Sequence, residues 1–313
     1  MKRLLVFNLI SSEEILMKLI KLISCLILAL ALSISFIGCD EEPTPPAESS
    51  GLSEQSTPQG SEPSPEDSTV TITLTGTGYT ASKSGVVAAS GNVLTITAGG
   101  TYKITGTLNN AQLRVSVQKT ELVELIFAGV SITNSTSAPL YIESADKVSI
   151  ELAAGTENVL TDAKTYIFPE GEDKPNACIY SSEDLTIKGE GSLVVNANYN
   201  NGIGTKNDLK IKSGNITVNA ANNALKGNQS VKIEGGNITL TGADGIKADS
   251  LVAGEGIIEI LGGNISIKAG DDGLQAVTDI TIASGASVTV NAADKDVNSD
   301  GTTNIAEGTL ISK

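Results

Sequence analysis

The stretch Gly235-Gly236-Asn237-Ile238-Thr239-Leu240 joins a glycine turn to a short run in which apolar and polar residues alternate. A period of two places Ile238 and Leu240 on one face and Thr239 on the other, as in a strand with one buried face. The same pattern returns four more times, at 189–195, 213–218, 262–267 and 284–290. A motif that recurs at such intervals indicates a repeat architecture.

Two further short elements precede each of these strands. The nearer is an alternating apolar pair, found at Leu185/Ile187, Leu209/Ile211, Val231/Ile233, Ile258/Ile260 and Ile280/Ile282. The farther recurs after 24, 22, 21 and 28 residues and is centred on Ile179, Ile203, Leu225, Ile246 and Leu274. Three strands and no helix in each repeat predict an all-β fold, a right-handed parallel β-helix with coils of about 21–28 residues. Coils stacked about 4.8 Å apart would align equivalent side chains in ladders.

Less regular strand-like segments precede the repeats, at 71–74, 93–97, 113–117, 122–127 and 148–152. No linker composition separates them from the rest, so residues 70–313 are predicted as one β-helix domain. The chain is 3% aromatic and has no Trp, yet 40% of its residues are hydrophobic. A core of Ile, Val, Leu and Ala, spread over many short elements, fits this composition.

The beginning of the chain carries an export signal. Lys18 and Lys21 precede an apolar run over 22–37 that is too short to span a bilayer. The run ends in Phe36-Ile37-Gly38-Cys39, which resembles the lipobox of a bacterial lipoprotein signal peptide. We therefore predict that residues 1–38 are the signal peptide, with Met17 as the true start, and that Cys39 carries a lipid.

An acidic, proline-rich segment follows the predicted lipid site. Residues 40–67 hold six of the nine prolines, eight acidic residues and no basic one. Such a stretch buries too little surface to fold, and proline with charge repulsion keeps it extended. We predict that residues 39–69 tether the domain to a bacterial membrane in an extracytoplasmic location, at the cell surface or in the periplasm. Cys178 then remains as a lone thiol, predicted to be a small buried apolar side chain.

The formal net charge is −15, and the only arginines are Arg3 and Arg114. This composition argues against a nucleic-acid partner, because phosphate neutralisation needs clustered Lys and Arg. An acidic surface suits divalent cations, neutral sugars, or acidic sugars reached through a bridging cation. We expect the protein to be a monomer.

Several longer segments resemble a family of bacterial secreted carbohydrate-binding domains, in order over about residues 70–290. They are GVSITN at 129–134, SAPLYI at 137–142, ADKV at 145–148, GTENVLTD at 155–162, DGIKAD at 244–249 and DDGLQA at 271–276. The resemblance implies a right-handed parallel β-helix similar to polysaccharide lyases. It also implies bound calcium, and binding to cellulose and to acidic polysaccharides such as polygalacturonate.

Alignment of the repeats places oxygen-bearing residues in one corner column, with more acidic residues close by. Carboxylates one coil apart repel by roughly 3 kcal/mol at an effective dielectric of about 20. Calcium prefers oxygen clusters of this kind. The predicted calcium ligands are Asn201, Asn223, Asp244, Asp249, Asp271 and Asp272. In the alternative, the asparagines form a hydrogen-bonded ladder, and Lys226 and Lys247 neutralise the aspartates.

A second candidate calcium site lies near the end of the chain. Asp296, Asn298, Asp300 and Gly301, followed by Glu307, match the twelve-residue calcium-loop pattern. The flanking segments do not have the helical pattern of an EF-hand. The alternative is a polar turn that ends the last coil.

Four functions remain open, and we favour a carbohydrate-binding protein without catalytic residues. Tyr141, Tyr180 and Tyr199 are candidates for stacking on sugar rings. The main alternative is a calcium-dependent polysaccharide lyase with Lys247 or Lys226 as the base. A hydrolase using the Asp271-Asp272 pair and a non-catalytic surface stalk or adhesin are the others.

Overall fold

A computed structural model describes residues 68–168, 170–171 and 174–313. This part of the chain is all β, without helix, and forms a parallel β-solenoid of about nine turns. The predicted fold class is therefore confirmed. No helix in this part of the chain is long and apolar enough to cross a membrane.

The described residues form 28 strands, which are short and nearly all parallel to their neighbours. In chain order they are β1 (Val70–Gly76), β2 (Tyr79–Ala81), β3 (Val87–Ser90), β4 (Val93–Ile96), β5 (Gly100–Leu108), β6 (Gln112–Ser116), β7 (Leu122–Thr133), β8 (Leu140–Ser144), β9 (Lys147–Leu152), β10 (Glu157–Thr161), β11 (Ala177–Ser181), β12 (Asp184–Gly189), β13 (Ser192–Ala197), β14 (Asn201–Thr205), β15 (Asp208–Ile211), β16 (Asn215–Ala220), β17 (Leu225–Gly227), β18 (Ser230–Ile233), β19 (Asn237–Gly242), β20 (Ile246–Ala248), β21 (Ile257–Ile260), β22 (Gly263–Ala269), β23 (Leu274–Ala276), β24 (Ile280–Ile282), β25 (Ala286–Ala292), β26 (Val297–Ser299), β27 (Thr303–Ile305) and β28 (Leu310–Ser312).

Each regular coil contributes three consecutive strands. The first joins a ten-stranded sheet, ordered β26-β23-β20-β17-β14-β11-β8-β6-β4-β3. The second and third join an eighteen-stranded sheet, in which β12, β15, β18, β21 and β24 pair in one band and β13, β16, β19, β22 and β25 in another. Strands are parallel because the chain completes one turn before it returns to the same face.

The glycine turn of the repeated motif separates the second strand from the third. Gly189, Gly214, Gly236 and Gly263 hold positive φ angles of 108°, 120°, 104° and 95° in four successive coils. L-residues with a side chain rarely adopt this conformation, so glycine is required there. Directly after the turn, the Nδ2 of Asn237 donates to the Oδ1 of Asn215 over 3.0 Å, and the Nδ2 of Asn264 donates to the Oδ1 of Asn237 over 3.1 Å.

The interior consists of the predicted apolar ladders. Ile203, Leu225, Ile246 and Leu274 are paired in register in the ten-stranded sheet and are fully buried. Burial of each such side chain stabilises the fold by about 1.5–3 kcal/mol. Because equivalent residues contact each other from coil to coil, the core is continuous along the solenoid axis.

The first coils differ from the later ones, as the weaker sequence pattern predicts. β5 and β7 are long strands that run through both bands of the eighteen-stranded sheet. Antiparallel pairs β1–β2 and β3–β4 join the parallel ladders there. Tyr102 and Phe127, both buried, supply aromatic volume to this end of the core.

Candidate functional site

In the ten-stranded sheet, one outward-facing residue of each coil is paired in register with its equivalents in the neighbouring coils. We call them the outward row: Arg114, Tyr141, Tyr180, Gly204, Lys226, Lys247, Gln275 and Asn298. Their neighbours in each strand point inward into the apolar ladder, so strand alternation fixes the direction of every member. The row contains aromatic and cationic side chains at one end and cationic and amide side chains at the other.

Arg114 begins the aromatic part of the row. Its guanidinium lies 5.4 Å from the centroid of the Tyr141 ring, and the rings of Tyr141 and Tyr180 are 5.7 Å apart at 51°. Buried Gln112 accepts hydrogen bonds from the Nε and Nη2 of Arg114 over 3.2 and 3.1 Å. The Nε2 of Gln112 donates to the carbonyl of Ala138 over 3.0 Å, so the residue that holds the guanidinium is itself fixed.

Tyr199, the third predicted sugar-stacking tyrosine, lies elsewhere. Its ring stacks on Tyr166 at 4.2 Å and 17°, in an aromatic cluster with Phe168. The structure thus places Tyr141 and Tyr180 together and Tyr199 apart from them. The carbohydrate role of all three stays a prediction.

A hydrogen-bonded carboxylate anchors this aromatic cluster. The Tyr166 hydroxyl donates to the Oδ2 of Asp162 over 2.7 Å, and the backbone N–H of Asn198 donates to its Oδ1. Burial raises the pKa of the Asp162 carboxyl, and the hydrogen bonds from Tyr166 and Asn198 offset part of that effect. Burial, with the adjacent Asp162 charge, also raises the pKa of the Tyr166 hydroxyl.

A groove of about 330 Å³ lies beside the aromatic part of the row. Gln112, Arg114, Tyr141 and Glu143 line it from the sheet, and Phe168 and Lys174, which precede β11, also line it. Arg114 approaches Glu143 at 3.8 Å, and their side chains are 33% and 41% exposed. Sequence reasoning did not identify Arg114 or this groove.

Lys226 and Lys247 continue the row beyond Gly204 and are paired in register with one another. The Nζ of Lys226 lies 2.6 Å from Asp249, and the Nζ of Lys247 lies 3.0 Å from Asp244. Asp249 is therefore paired with a lysine across the sheet surface. These ion pairs correspond to the predicted alternative in which lysines neutralise the aspartates.

The predicted corner column exists and is buried. Asn201, Asn223, Asp244 and Asp272 are 2–4% exposed. The backbone N–H of Asn223 donates to the Oδ1 of Asn201 over 3.3 Å, and that of Asp272 donates to the Oδ1 of Asp244 over 3.2 Å. The asparagine ladder of the alternative is thus present. Asn223 Oδ1 and Asp249 Oδ1 are buried oxygens without a hydrogen-bond partner.

A carboxylate trio lies at the end of this corner. Oxygens of Asp271, Asp272 and Asp294 all lie within 4.8 Å of one another, and this is the acidic group of metal-binding size in the described part of the chain. Asp294 stacks one coil beyond Asp271, since its N–H donates to the carbonyl of Asp271 over 3.0 Å. Sequence reasoning identified Asp271 and Asp272 but missed Asp294. Asp294 could have been found from its position, because it follows Asp271 by 23 residues, which is the length of one repeat.

The residues of the second calcium pattern are spread over an extended stretch. Val297–Ser299 is strand β26 and Thr303–Ile305 is strand β27, so the twelve residues cross from one sheet to the other. Asn298 lies in the outward row, where its Nδ2 donates to the Oδ2 of Asp272 over 2.6 Å. Asp296, Asp300 and Glu307 form no carboxylate group of metal-binding size among the described residues. Calcium binding by these residues stays a prediction.

The predicted signal peptide, the lipidated Cys39 and nearly all of the tether lie outside the described residues. Cys178, the free cysteine of the described part, is fully buried, as predicted. Burial also raises the pKa of its thiol.

Comparisons with known proteins agree with one another. A family model described as "Carbohydrate-binding domain-containing protein" matches residues 90–312. A carbohydrate-binding domain-containing protein of Acetivibrio thermocellus is 51% identical over 218 residues, which are 69% of this chain and 76% of that protein. A solved structure, the gadolinium derivative of the polysaccharide lyase-like protein from C. thermocellum, is 49% identical with a TM-score of 0.76. The match covers 78% of this chain and 99% of that one.

Proposed function

Because this chain belongs to the carbohydrate-binding domain-containing protein family, we propose that its outward row binds an extended polysaccharide. The observation that carries the proposal is the alignment of seven side chains with aromatic, cationic or amide groups on one sheet. Coils repeat about every 4.8 Å, so the row presents regularly spaced contacts to a regular polymer. Tyr141, backed by the buried Tyr180, supplies flat apolar surface for a sugar ring, and amides and ammonium groups supply hydrogen bonds.

An acidic polysaccharide, such as polygalacturonate, is the proposed preferred class, with cellulose as a neutral ligand. The whole chain carries a net charge of −15, yet the outward row contains Arg114, Lys226 and Lys247 and no carboxylate. Each of these cations lies beside a carboxylate outside the row, Glu143, Asp249 or Asp244, so the row offers cationic groups to a ligand without a net positive charge. Ammonium and guanidinium groups recognise sugar carboxylates by charge-assisted hydrogen bonds.

Calcium is proposed at the carboxylate trio. The donor set of Asp271, Asp272 and Asp294 fits a hard cation that prefers oxygen ligands. Asp272 is buried while Asp271 and Asp294 are exposed, so the trio opens toward solvent. A cation there would relieve repulsion among the three carboxylates and could bridge to a uronate carboxylate.

Binding without catalysis is the proposed activity. Lys226 and Lys247, the candidate lyase bases, are each engaged with a carboxylate, at 2.6 Å from Asp249 and 3.0 Å from Asp244, which supports a binding role over a catalytic one. Release of unsaturated uronate, detected by its ultraviolet absorbance, would contradict this proposal. If Lys247→Ala abolished that release, the protein would be a lyase with Lys247 as its base.

The proposed setting is a membrane-anchored surface lipoprotein. The lipobox ending at Cys39 and the acidic, proline-rich segment after it support this placement. Mass spectrometry of the N-terminal peptide should find a diacylated Cys39, and Cys39→Ser should release the protein from membranes. An unmodified Cys39 in the exported protein would contradict the anchor.

Retention of the full chain on insoluble polygalacturonate and cellulose tests the binding proposal. Paired Lys226→Gln and Lys247→Gln substitutions should weaken polygalacturonate retention strongly and cellulose retention little. The matched control is Lys232→Gln, which removes a lysine paired with Glu259 on the eighteen-stranded sheet. Retention of the unsubstituted chain no better than that of an unrelated acidic β-protein would refute the proposal.

A further inference from the structure

The groove beside Arg114 has features that the rest of the outward row lacks. Here residues from outside the sheet, Phe168 and Lys174, line the groove together with residues of the row. Its volume of about 330 Å³ falls in the range of small-molecule sites, whose lower limit is about 300 Å³. A concave site restricts a ligand on several sides, whereas a flat surface restricts it on one.

Arg114 is the charged group in this groove that is best prepared to bind an anion. The chain has 21 basic residues, of which only Arg3 and Arg114 are arginines. Two guanidinium nitrogens donate to buried Gln112, and the ring of Tyr141 lies against the same group. The guanidinium plane is therefore held in place before a ligand arrives, which lowers the entropy cost of binding. Its third nitrogen, Nη1, faces Glu143 at 3.8 Å, longer than a hydrogen bond.

The surfaces beside the guanidinium suit a sugar ring. Tyr141 is half-buried and backed by the ring of Tyr180, which is 4% exposed and so serves as support. Phe168 also lines the groove and is fixed by contacts with Tyr166 and Tyr199. A sugar ring packed on Tyr141 would lie next to the guanidinium of Arg114, which contacts the same tyrosine ring.

From these contacts we propose that the groove is a subsite for a single carboxylate-bearing sugar residue. Its carboxylate binds Arg114 and its ring packs on Tyr141. The subsite rests on the proposed polysaccharide-binding function and adds to it a position where the charge of one residue is recognised. Glu143 repels the sugar carboxylate that Arg114 attracts, so these two side chains have opposite effects on the affinity of the subsite.

Titration calorimetry of the full chain with trigalacturonate, and with its fully methyl-esterified form, tests the subsite. Arg114→Gln should weaken trigalacturonate binding by on the order of tenfold to a hundredfold, since hydrogen bonds to charged groups are lost. Glu143→Gln should tighten it by about two- to fivefold, the range expected for an exposed charge pair. The neutral ester should respond to neither change. The control Lys103→Gln removes an exposed cation on the other sheet.

Arg114→Gln is expected to weaken binding and Glu143→Gln to tighten it. A misfolded variant would not bind more tightly, so the second result cannot arise from a folding defect. Equal affinity for acid and ester, or unchanged affinity of Arg114→Gln, would overturn the subsite. If the chain stays on polygalacturonate but fails to bind trigalacturonate, the subsite is wrong and the polysaccharide-binding function stands. If the chain binds neither the polymer nor the trimer, the proposed function itself is wrong.

Discussion

The two halves of the outward row share one backbone geometry but differ in chemistry. Before Gly204, Arg114 and the two tyrosines lie beside a walled groove. After Gly204, the lysines lie on an open surface, each paired with an aspartate. In the first half the cation is held by a neutral amide, and in the second half it is held by carboxylates.

This difference shows how a repeat fold specialises without changing its register. The ladder position fixes where a side chain points, and the neighbouring corner decides what that side chain can do. Among the described residues, Arg114 has the exposed Glu143 as its ionic partner at 3.8 Å, whereas Lys247 neutralises the buried Asp244. The first half therefore has the chemistry of a recognition site, while the lysines of the second half also stabilise the fold.

The largest predicted effect tests whether the two halves form one cooperative unit. Ile203 lies in the coil that joins them and is fully buried. Ile203→Ala should lower the free energy of unfolding by about 2–5 kcal/mol, because it leaves a cavity in the continuous ladder. Urea denaturation measures the loss of stability, and amide hydrogen exchange should show reduced protection in the coils before and after Gly204. Thr217→Ala, on the outer surface, is the control and should change stability by less than about 0.5 kcal/mol. Loss of protection on one side alone would show that the halves unfold separately.

Calcium should stabilise the coils after Gly204, where the carboxylate trio lies. At a calcium concentration 100 times the dissociation constant, the free energy of unfolding should rise by about 2.7 kcal/mol. Asp294→Asn should remove most of this gain, because it removes one carboxylate of the trio. Thermal unfolding in calcium and in chelator provides the measurement, with exposed Asp146→Asn from the first half as the control. A gain that survives in Asp294→Asn would place the ion elsewhere.

Removal of one cation from each half of the outward row should lower the free energy of unfolding more in the second half than in the first. Lys247→Met leaves the Asp244 carboxylate buried without its ionic partner and should cost about 1–3 kcal/mol. Arg114→Met breaks a long contact with an exposed Glu143 and removes two donors from the Oε1 of Gln112. Because Gln112 lines the groove, water can replace these donors, and the variant should cost about 1 kcal/mol. Chemical denaturation of the two variants side by side measures the difference. Equal losses would mean that both cations stabilise the fold to the same extent.

The smallest predicted effect concerns pH and the aromatic cluster beside the groove. Since burial raises the pKa of Asp162, the folded chain holds this proton to higher pH than the unfolded chain, whose carboxyl titrates near 3.8. Its contribution to stability is therefore greatest at low pH and declines as pH rises through the interval between the two pKa values. Asp162→Asn should flatten that decline, and the Tyr166 hydroxyl can still donate to the carbonyl of Ala177. The free energy of unfolding of Asp162→Asn and of the control Asp146→Asn should be measured from pH 3 to 7. An equal dependence on pH in the two variants would contradict the prediction.

The fold and the corner column were predictable because their signals are local and repeated. Gly236 needs its positive φ, and Ile238 with Leu240 needs one buried face, whatever the rest of the chain does. The groove was not predictable, because Gln112, Arg114 and Phe168 carry no repeated pattern and come from separate parts of the chain. Asp294 was missed because the repeat is weak where it stands, between β25 and β26.

The sequence by itself determined the parallel β-helix, its coil length, its interior ladders and the column of Asn201, Asn223, Asp244 and Asp272. These features follow from period-two alternation and turn chemistry, which act within a few residues. Only the tertiary structure decided that Lys226 and Lys247 pair with aspartates, that Asp294 completes a carboxylate trio and that Arg114 lies in a groove. Such contacts depend on distances between side chains from different coils, and a one-dimensional pattern does not contain them.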